Sequence, residues 1–460
     1  MMASTYITKT PSSTTNQKTW TVSCWVKRAG LGSRQMIWGV NGDTSGNYYT
    51  QLEFNVSDKL EFTQGGTVGD PFQTQMKTNT KYRDTNGWYH IVVAADTTQV
   101  TESNRLKIYV NGELLTDYGT ANYPSQDEQF RWHYTGYAHS IGRSGSDSAR
   151  YFDGSISHFH NIDGTQYAAS DFGSTDSTTG EWKINTAPNV TYGSFGTFIL
   201  KDGNSVTDQS GRGNNWTVSG GTLTKTEDCP SNVFATLNPL ANYHANETFS
   251  YGNNKIVSPG DRHDFAVSTL GMNVGSGKYY AEFKLVTAAG SDHVVVGLSD
   301  HHYMGNNEEL GQENYSIAYV NGGALRSSGT NVATGVGTYT AGDIIGVAVD
   351  MENLKIYFRK NDGAWVNSGD PTSGSTGTGA VSIHNVATSP NSNSRGQGNY
   401  FFAVGNWHSG ASSTWEANFG NGYFGTTAVS NAGSNASNNG IFEYDVPTGY
   451  TALSTKGLNL

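Results

Sequence analysis

Two stretches of this chain repeat one design of apolar and polar positions. In the first, Ile91, Val92, Val93, Ala94 and Ala95 form an apolar run closed by Asp96, and after a polar loop Leu106, Ile108 and Val110 alternate with Lys107 and Tyr109 up to Asn111-Gly112. In the second, Ile344, Ile345, Val347 and Val349 run to Asp350, and Leu354, Ile356 and Phe358 alternate with Lys355, Tyr357 and Arg359 up to Asn361-Asp362-Gly363. A short apolar run bounded by turn residues predicts a buried strand, and period-two alternation predicts a strand with one face on a core. Asn-Gly and Asp-Gly supply the positive φ that a tight hairpin needs. One chain with two strand-loop-strand-turn units predicts two related β-domains.

The same alternation recurs elsewhere. Trp20, Val22, Cys24 and Val26 share one face of a predicted strand, and Trp25 and Lys27 share the other. Further strands are predicted at 36–40, 51–56, 60–62, 138–142 and 151–159, and again at 277–283, 294–300, 315–319, 401–405 and 415–420. No window sustains apolar residues at i, i+3, i+4 and i+7 for three turns, so the fold class is all-β, with antiparallel sheets packed face to face. The expected organisation is a first sandwich over 1–172, an extended linker over 173–267 packing on both domains, a second sandwich over 268–425 and a tail over 426–460.

Composition agrees with many short strands joined by turns: 57 glycines, 26 tyrosines and 10 tryptophans stand beside only 15% charged residues in 460. The formal charge of −11 has no basic stripe against it, which excludes nucleic acid and anionic membrane surfaces as expected partners. No run reaches the length of a membrane span, so no membrane insertion is expected, and the first residues show no secretory signal. Two cysteines, Cys24 and Cys229, form no disulfide framework and are expected as buried free thiols.

Catalytic patterns are sparse. Sandwich folds that cleave glycosides place two acids on neighbouring positions of one strand, and no Glu-x-Asp-x-Glu pattern occurs. Glu308, Glu309 and Glu313 cluster in a polar stretch that reads as a solvated loop. His158 and His160, two apart, would share a strand face and could hold a metal, but no third ligand is apparent. There is no Gly-x-Ser-x-Gly and no phosphate-binding glycine loop, so no catalytic residue is assigned and no enzyme activity is expected.

Five motifs in order, at 20–28, 87–93, 106–112, 141–143 and 152–157, resemble the laminin G-like, concanavalin A-like jelly roll over about 5–172. Gly277–Phe283, Val294–Asp300, Tyr315–Tyr319, the Gly342–Asp350 signature, Phe401–Gly405 and Trp415–Gly420 look like the SPRY domain, over about 268–425. The first resemblance implies calcium held by loop carboxylates, with Asp43, Asp153 and Asp163 as candidate ligands. The second implies that Asp300, His301, Tyr303 and Asn306, with Asn406, Trp407 and His408, rim one end of the sandwich, where aromatic rings and polar side chains suit sugars; a core position for Trp407 is the competing reading. Both modules, with the Asp208–Trp216 loop and the Ala235–Leu240 segment, together resemble structural proteins of tailed phages. That resemblance implies a virion protein assembled in the host cytoplasm and displayed on the virion surface. It would be a tail fibre or appendage component binding host cell-surface polysaccharide, in contact with other virion proteins and assembled as a homotrimer; the alternative is a decoration protein whose modules serve protein-protein contacts.

Overall fold

The computed structural model describes the chain apart from residues 1–3, 42–47, 66–72, 146–148, 202, 204, 242–245, 261–264, 289–293, 301–308, 389–397, 407–411 and 460. It is all-β, with antiparallel sheets, and divides into two compact units, Met1–Lys225 and Thr226–Leu460.

In the first unit one sheet has eight strands among the described residues, in the order Tyr118–Asn122, Thr74–Lys81, Lys59–Gly65, Tyr49–Phe54, Gln35–Asn41, His139–Ile141, Tyr6–Lys9 and Thr217–Gly220. The facing sheet runs Thr197–Ile199, Gly154–Asp163, Thr19–Arg28, Tyr89–Asp96, Leu106–Val110 and Glu113–Leu114. Trp20, Val22, Cys24 and Val26 do share the core face, meeting Trp38, Leu52, Phe54 and Phe62 from the opposite sheet. The rings of Trp20 and Trp38 stand edge to face at 6.0 Å, and Trp132 lies 4.6 Å from Trp38. Both cysteines are free, but only Cys24 is buried as expected, where burial pushes its thiol far up and leaves it inert; Cys229 is half-buried.

The opposite face of the Thr19–Arg28 strand is buried as well. Trp25 stacks on His90 at 4.8 Å, and the Trp182 ring lies nearly parallel to that of His90 at 5.9 Å, its indole N–H donating to Nδ1 at 3.0 Å. Asn111 (φ 49°) and Gly112 (φ 86°) form the expected two-residue turn, and a Cβ on Gly112 would meet the Trp182 ring at 2.4 Å. The glycine thus serves both the turn and the close approach of the indole.

The second unit has one sheet ordered Thr248–Ser250, Lys255–Ser258, Ser413–Asn418, Lys278–Ala288, Ile344–Asp350, Lys355–Lys360 and Val381–Ser382, with Thr451–Ala452 pairing in parallel onto Tyr279–Tyr280. The other is ordered Phe265–Val267, Asn399–Asn406, Val294–Ser299, Ser316–Val320, Ala324–Ser327 and Thr330–Thr334. The repeated design pairs alike in both units: Val93 lies opposite Ile108, and Val349 opposite Ile356. In the second copy the positive φ falls on Asn361 (51°) rather than on the Asp-Gly pair.

Two expected boundaries change. Residues 173–267 are not a linker: the chain divides between Lys225 and Thr226, and Thr197–Ile199 and Thr217–Gly220 complete the first unit's sheets, as Lys255–Ser258 and Phe265–Val267 complete the second's. Nor is 426–460 a separate tail, since Phe442, Val446 and Tyr450 pack on Tyr280, Ala348 and Tyr357. Those positions read as the exposed face of their strands because the segment that covers them lies far along the chain.

Glu282 lies under this cover, wholly buried. It accepts main-chain N–H groups of Glu443 (2.8 Å) and Tyr444 (2.9 Å), the Tyr280 hydroxyl (3.1 Å) and Asn418 Nδ2 (3.3 Å). Burial pushes its carboxyl up to about 7, against the pull of these donors and Arg359. A folded value above the ordinary one gives stability that is whole below the usual carboxylate range and lost as the pH rises through about 7. Melting at about pH 8 is expected to bring the second unit's midpoint about 5 °C below its value at about pH 5.5; equal midpoints would show that the carboxyl titrates normally.

Candidate functional site

The two loop groups expected to rim one end do not meet. Strands Val294–Ser299 and Asn399–Asn406 are antiparallel, with Val294 opposite Asn406 and Ser299 opposite Phe401. Asp300 therefore lies about 20 Å along the sheet from Asn406, at its other end. Neither residue is a rim residue: Asp300 is fully buried, and Asn406, 1% exposed, shares the core face of its strand with Val404. His301, Tyr303, Asn306, Trp407 and His408 lie outside the described residues.

The expected calcium ligands do not converge either. Asp153 and Asp163 flank and end the strand Gly154–Asp163, about 30 Å apart, too far to share an ion. Asp163 is engaged within the fold: Oδ1 accepts the Asn16 N–H (3.1 Å) and Nδ2 (3.0 Å), Oδ2 accepts the Phe195 N–H (2.9 Å), and the His133 ring stands 3.5 Å away. Burial alone would raise this carboxyl; His133, Phe195 and Asn16 bring it below its ordinary value. Asp43 lies outside the described residues. The histidine pair also separates, because a register shift falls between Ser157 and His160 and the His160 ring stacks on Phe198 at 4.0 Å. No group of three metal-ligating side chains occurs among the described residues.

A site does form on the outward face of the first unit's eight-stranded sheet. Leu52 and Phe54 point to the core, so Tyr49, Gln51 and Glu53 point outward; by the same alternation Glu61 and Thr63 point outward from the next strand and Gln75 from the one after. The register places Glu53 directly opposite Glu61, and Gln51 opposite Thr63, which is itself opposite Gln75. Two carboxylates thus face each other across neighbouring strands, about 5 Å apart at Cβ. This corrects the sequence expectation, which sought paired acids along one strand only.

The floor of this recess is buried: Glu53 and Thr63 are 2% exposed and Gln51 8%. Its rim, formed by Tyr49, Glu61, Gln75 and Arg34, is partly exposed, with the Arg34 side chain at 44%. Arg34 Nε (2.9 Å) and Nη2 (2.7 Å) both donate to Glu53 Oε1. Asn55 Nδ2 (2.8 Å) and Gln75 Nε2 (2.7 Å) hold the two oxygens of Glu61. Among the described residues Glu53 Oε2 and Thr63 Oγ1 have no hydrogen-bond partner, although Arg150 stands 3.8 Å from the former.

Burial raises the Glu53 carboxyl, and Glu61 adds to the rise, while Arg34 and Arg150 oppose it. The Tyr49 phenol is pushed up to about 12, first by burial, and it feels Arg34, Arg150, Glu53 and Glu61 together. That shared electrostatics places the five groups around one spot. The chemistry available there is hydrogen-bond acceptance by a fixed carboxylate, donation and acceptance by a hydroxyl and an amide, and an aromatic ring at the edge.

Residues 2–169 match the family model described as the concanavalin A-like lectin/glucanases superfamily, of laminin G type, and residues 278–368 match the SPRY domain. The chain therefore carries a laminin G-like domain and a SPRY domain. Among solved structures it is similar to the SPRY domain of human HERC1 (16% identity, 39% of this chain and 96% of that one, TM-score 0.29). It is also similar to a heptameric SAP-like pentraxin from Limulus polyphemus (13%, 36% and 71%, TM-score 0.26) and to the CBM40 of the Ruminococcus gnavus IT-sialidase bound to α2,3-sialyllactose (18%, 32% and 87%, TM-score 0.25). No curated protein matches the chain.

Proposed function

We propose that this protein binds carbohydrate without cleaving it, and that its laminin G-like domain takes sugar hydroxyls in the Glu53–Glu61 recess. The observation that carries this reading is a pair of buried oxygens that accept no hydrogen bond among the described residues, Glu53 Oε2, which has Arg150 at 3.8 Å, and Thr63 Oγ1, set among Gln51, Glu61 and Gln75 with Tyr49 at the edge. A buried polar atom without a partner costs about 1–3 kcal/mol, and a ligand hydroxyl that donates to it recovers that cost. Charges in the recess are self-paired, Arg34 on Glu53 and amides on Glu61, so a neutral sugar fits better than an anionic one. Glycan binding should weaken about tenfold in Thr63→Val and in Gln51→Ala, measured by titration with the oligosaccharide that an array selects. Full affinity in both folded variants would remove the recess from the site.

A second reading is favoured by one specific observation. Two carboxylates face each other on adjacent strands, and a pair of acids is what retaining glycosidases use; the more buried one has a raised pKa. Against it, Arg34 grips Glu53 with two donors, which opposes the protonated state a general acid requires. New reducing ends on incubation with the bound polysaccharide would establish cleavage.

For setting we retain the virion surface of a tailed phage, with host polysaccharide as the ligand and a homotrimer as the assembly, on the resemblance of the two modules and their connecting motifs; a decoration protein is the alternative. Calcium remains a proposal for the loops of the first unit. Electron microscopy of a virion that incorporates the chain distinguishes a distal appendage from a capsid or tail coat.

A further inference from the structure

We propose that Arg131, with Tyr48 and Tyr134 beside it, is a second binding site on the first unit, one that takes the carboxylate of an acidic sugar. The guanidinium singles the site out. In this unit Arg28 and Arg83 reach Asp58, Arg34 holds Glu53, and Arg105 donates to three main-chain carbonyls. The Arg131 side chain pairs with no carboxylate and donates to no acceptor among the described residues, and its Nε is buried without a partner. That is so in a chain with 39 acidic side chains against 28 lysines and arginines, where an acid would be the easiest neighbour to find.

Rings hold the guanidinium instead. Its Cζ lies 4.7 Å from the centre of the Tyr48 ring and 5.6 Å from that of Tyr134, and Tyr137 lies against Tyr134 at 5.4 Å with the rings 28° from parallel. All three tyrosines are half-buried. An aromatic ring engages a guanidinium across its face and leaves the N–H fork along its edge to hydrogen-bond.

The site is built in advance of any ligand. Phe130 and Trp132, on either side of Arg131 in sequence, are wholly buried against Trp20 and Trp38 at 5.2 and 4.6 Å. The Arg131 main-chain N–H donates to Thr50 Oγ1 (2.9 Å) and Gln64 Oε1 (3.2 Å), and its carbonyl accepts the Tyr134 N–H (3.1 Å). Thr135 ties the far side of the turn to the N-terminal segment, its hydroxyl donating to the Pro11 carbonyl (2.9 Å) and its N–H to Thr14 Oγ1 (3.2 Å). A turn fixed at both ends loses little freedom when a ligand arrives.

The chemistry follows from the parts. A guanidinium fork matches the two oxygens of a carboxylate through parallel charge-assisted hydrogen bonds, and phenol rings suit the apolar face and the hydroxyls of a sugar. Together they select a sugar that carries its own carboxylate, a uronic or a sialic acid. The inference does not rest on the Glu53–Glu61 recess, whose charges are already paired and suit a neutral sugar.

The test titrates the full chain with short oligosaccharides of glucuronic, galacturonic and N-acetylneuraminic acid, each beside its carboxyl-reduced form. At least one acid is expected to bind about tenfold or more tighter than its reduced form, with the preference shrinking as sodium chloride is raised. Arg131→Gln is expected to abolish the preference, and Arg131→Lys to restore only part of it, because an ammonium brings the charge without the fork. The readout is the ratio between acid and reduced form at unchanged melting temperature, which the recess does not set, so failure of the recess leaves this test standing. No preference for any acid, or a preference that survives in folded Arg131→Gln, overturns the site. Inorganic phosphate or acetate that competes as well as the acidic sugar overturns the sugar as its ligand.

Discussion

Glu282→Ala is expected to lower the melting midpoint of the second unit by about 10 °C at neutral pH, a loss of about 3–4 kcal/mol. The substitution leaves the N–H groups of Glu443 and Tyr444 without an acceptor, removes one of two partners of Tyr280 and of Asn418 Nδ2, and strips the nearby Arg359 guanidinium of its counter-charge, all in a buried setting. Each orphaned donor costs about 1–3 kcal/mol, and the raised carboxyl returns part of that because burying it was itself unfavourable. Glu352→Ala provides the comparison. Its side chain is 53% exposed and 3.6 Å from Lys278, so a shift within about 2 °C is expected. If the two substitutions shift the midpoint equally in calorimetry, the C-terminal segment is not held through Glu282.

Glu53→Ala is expected to weaken glycan binding by at least about 100-fold, the largest effect of any single change in the recess. The carboxylate both presents Oε2, which accepts no hydrogen bond among the described residues, and fixes Arg34 through Oε1, so its removal takes away an acceptor and frees a rim cation. Glu53→Gln separates the two roles: its amide oxygen can still accept from Arg34, while the NH2 replaces one acceptor by a donor. Binding by Glu53→Gln should therefore fall between wild type and Glu53→Ala. Identical affinities for all three, with unchanged melting curves, would show that sugars are bound elsewhere.

The architecture was legible because a sandwich writes its core at alternate positions. Trp20, Val22, Cys24 and Val26, and the twin runs ending at Asp96 and Asp350, lie where the period-two pattern places them. What escaped was whatever depends on pairing between distant segments. Trp25 and Tyr357 occupy polar-side positions of their strands yet are buried, because Trp182 and Phe442 arrive from elsewhere in the chain. The loops at 300 and 406 each follow an apolar run, and such a run carries no mark of strand direction; antiparallel pairing sends them to opposite ends.

The carboxylate pair left a signal that could have been used. The turn at Asn55–Lys59 is short: Asn55 N–H donates to the Lys59 carbonyl, and Asp58 adopts φ 61°. Counting outward from it pairs Phe54 with Leu60 and then Glu53 with Glu61. A search for acids along one strand cannot find a pair made across two. The burial of Glu53 has no comparable signature, since alternation puts that position on the outward face.

Hydrogen-deuterium exchange of the intact protein, with and without saturating amounts of the array-selected oligosaccharide, tests the central claim most directly. Protection is expected to concentrate on Tyr49–Phe54, Lys59–Gly65 and Thr74–Lys81, the three strands that carry the recess, with the oligosaccharide recovered intact. Protection confined to the second unit, or recovery of shortened oligosaccharide, would contradict a non-cleaving sugar site on the first.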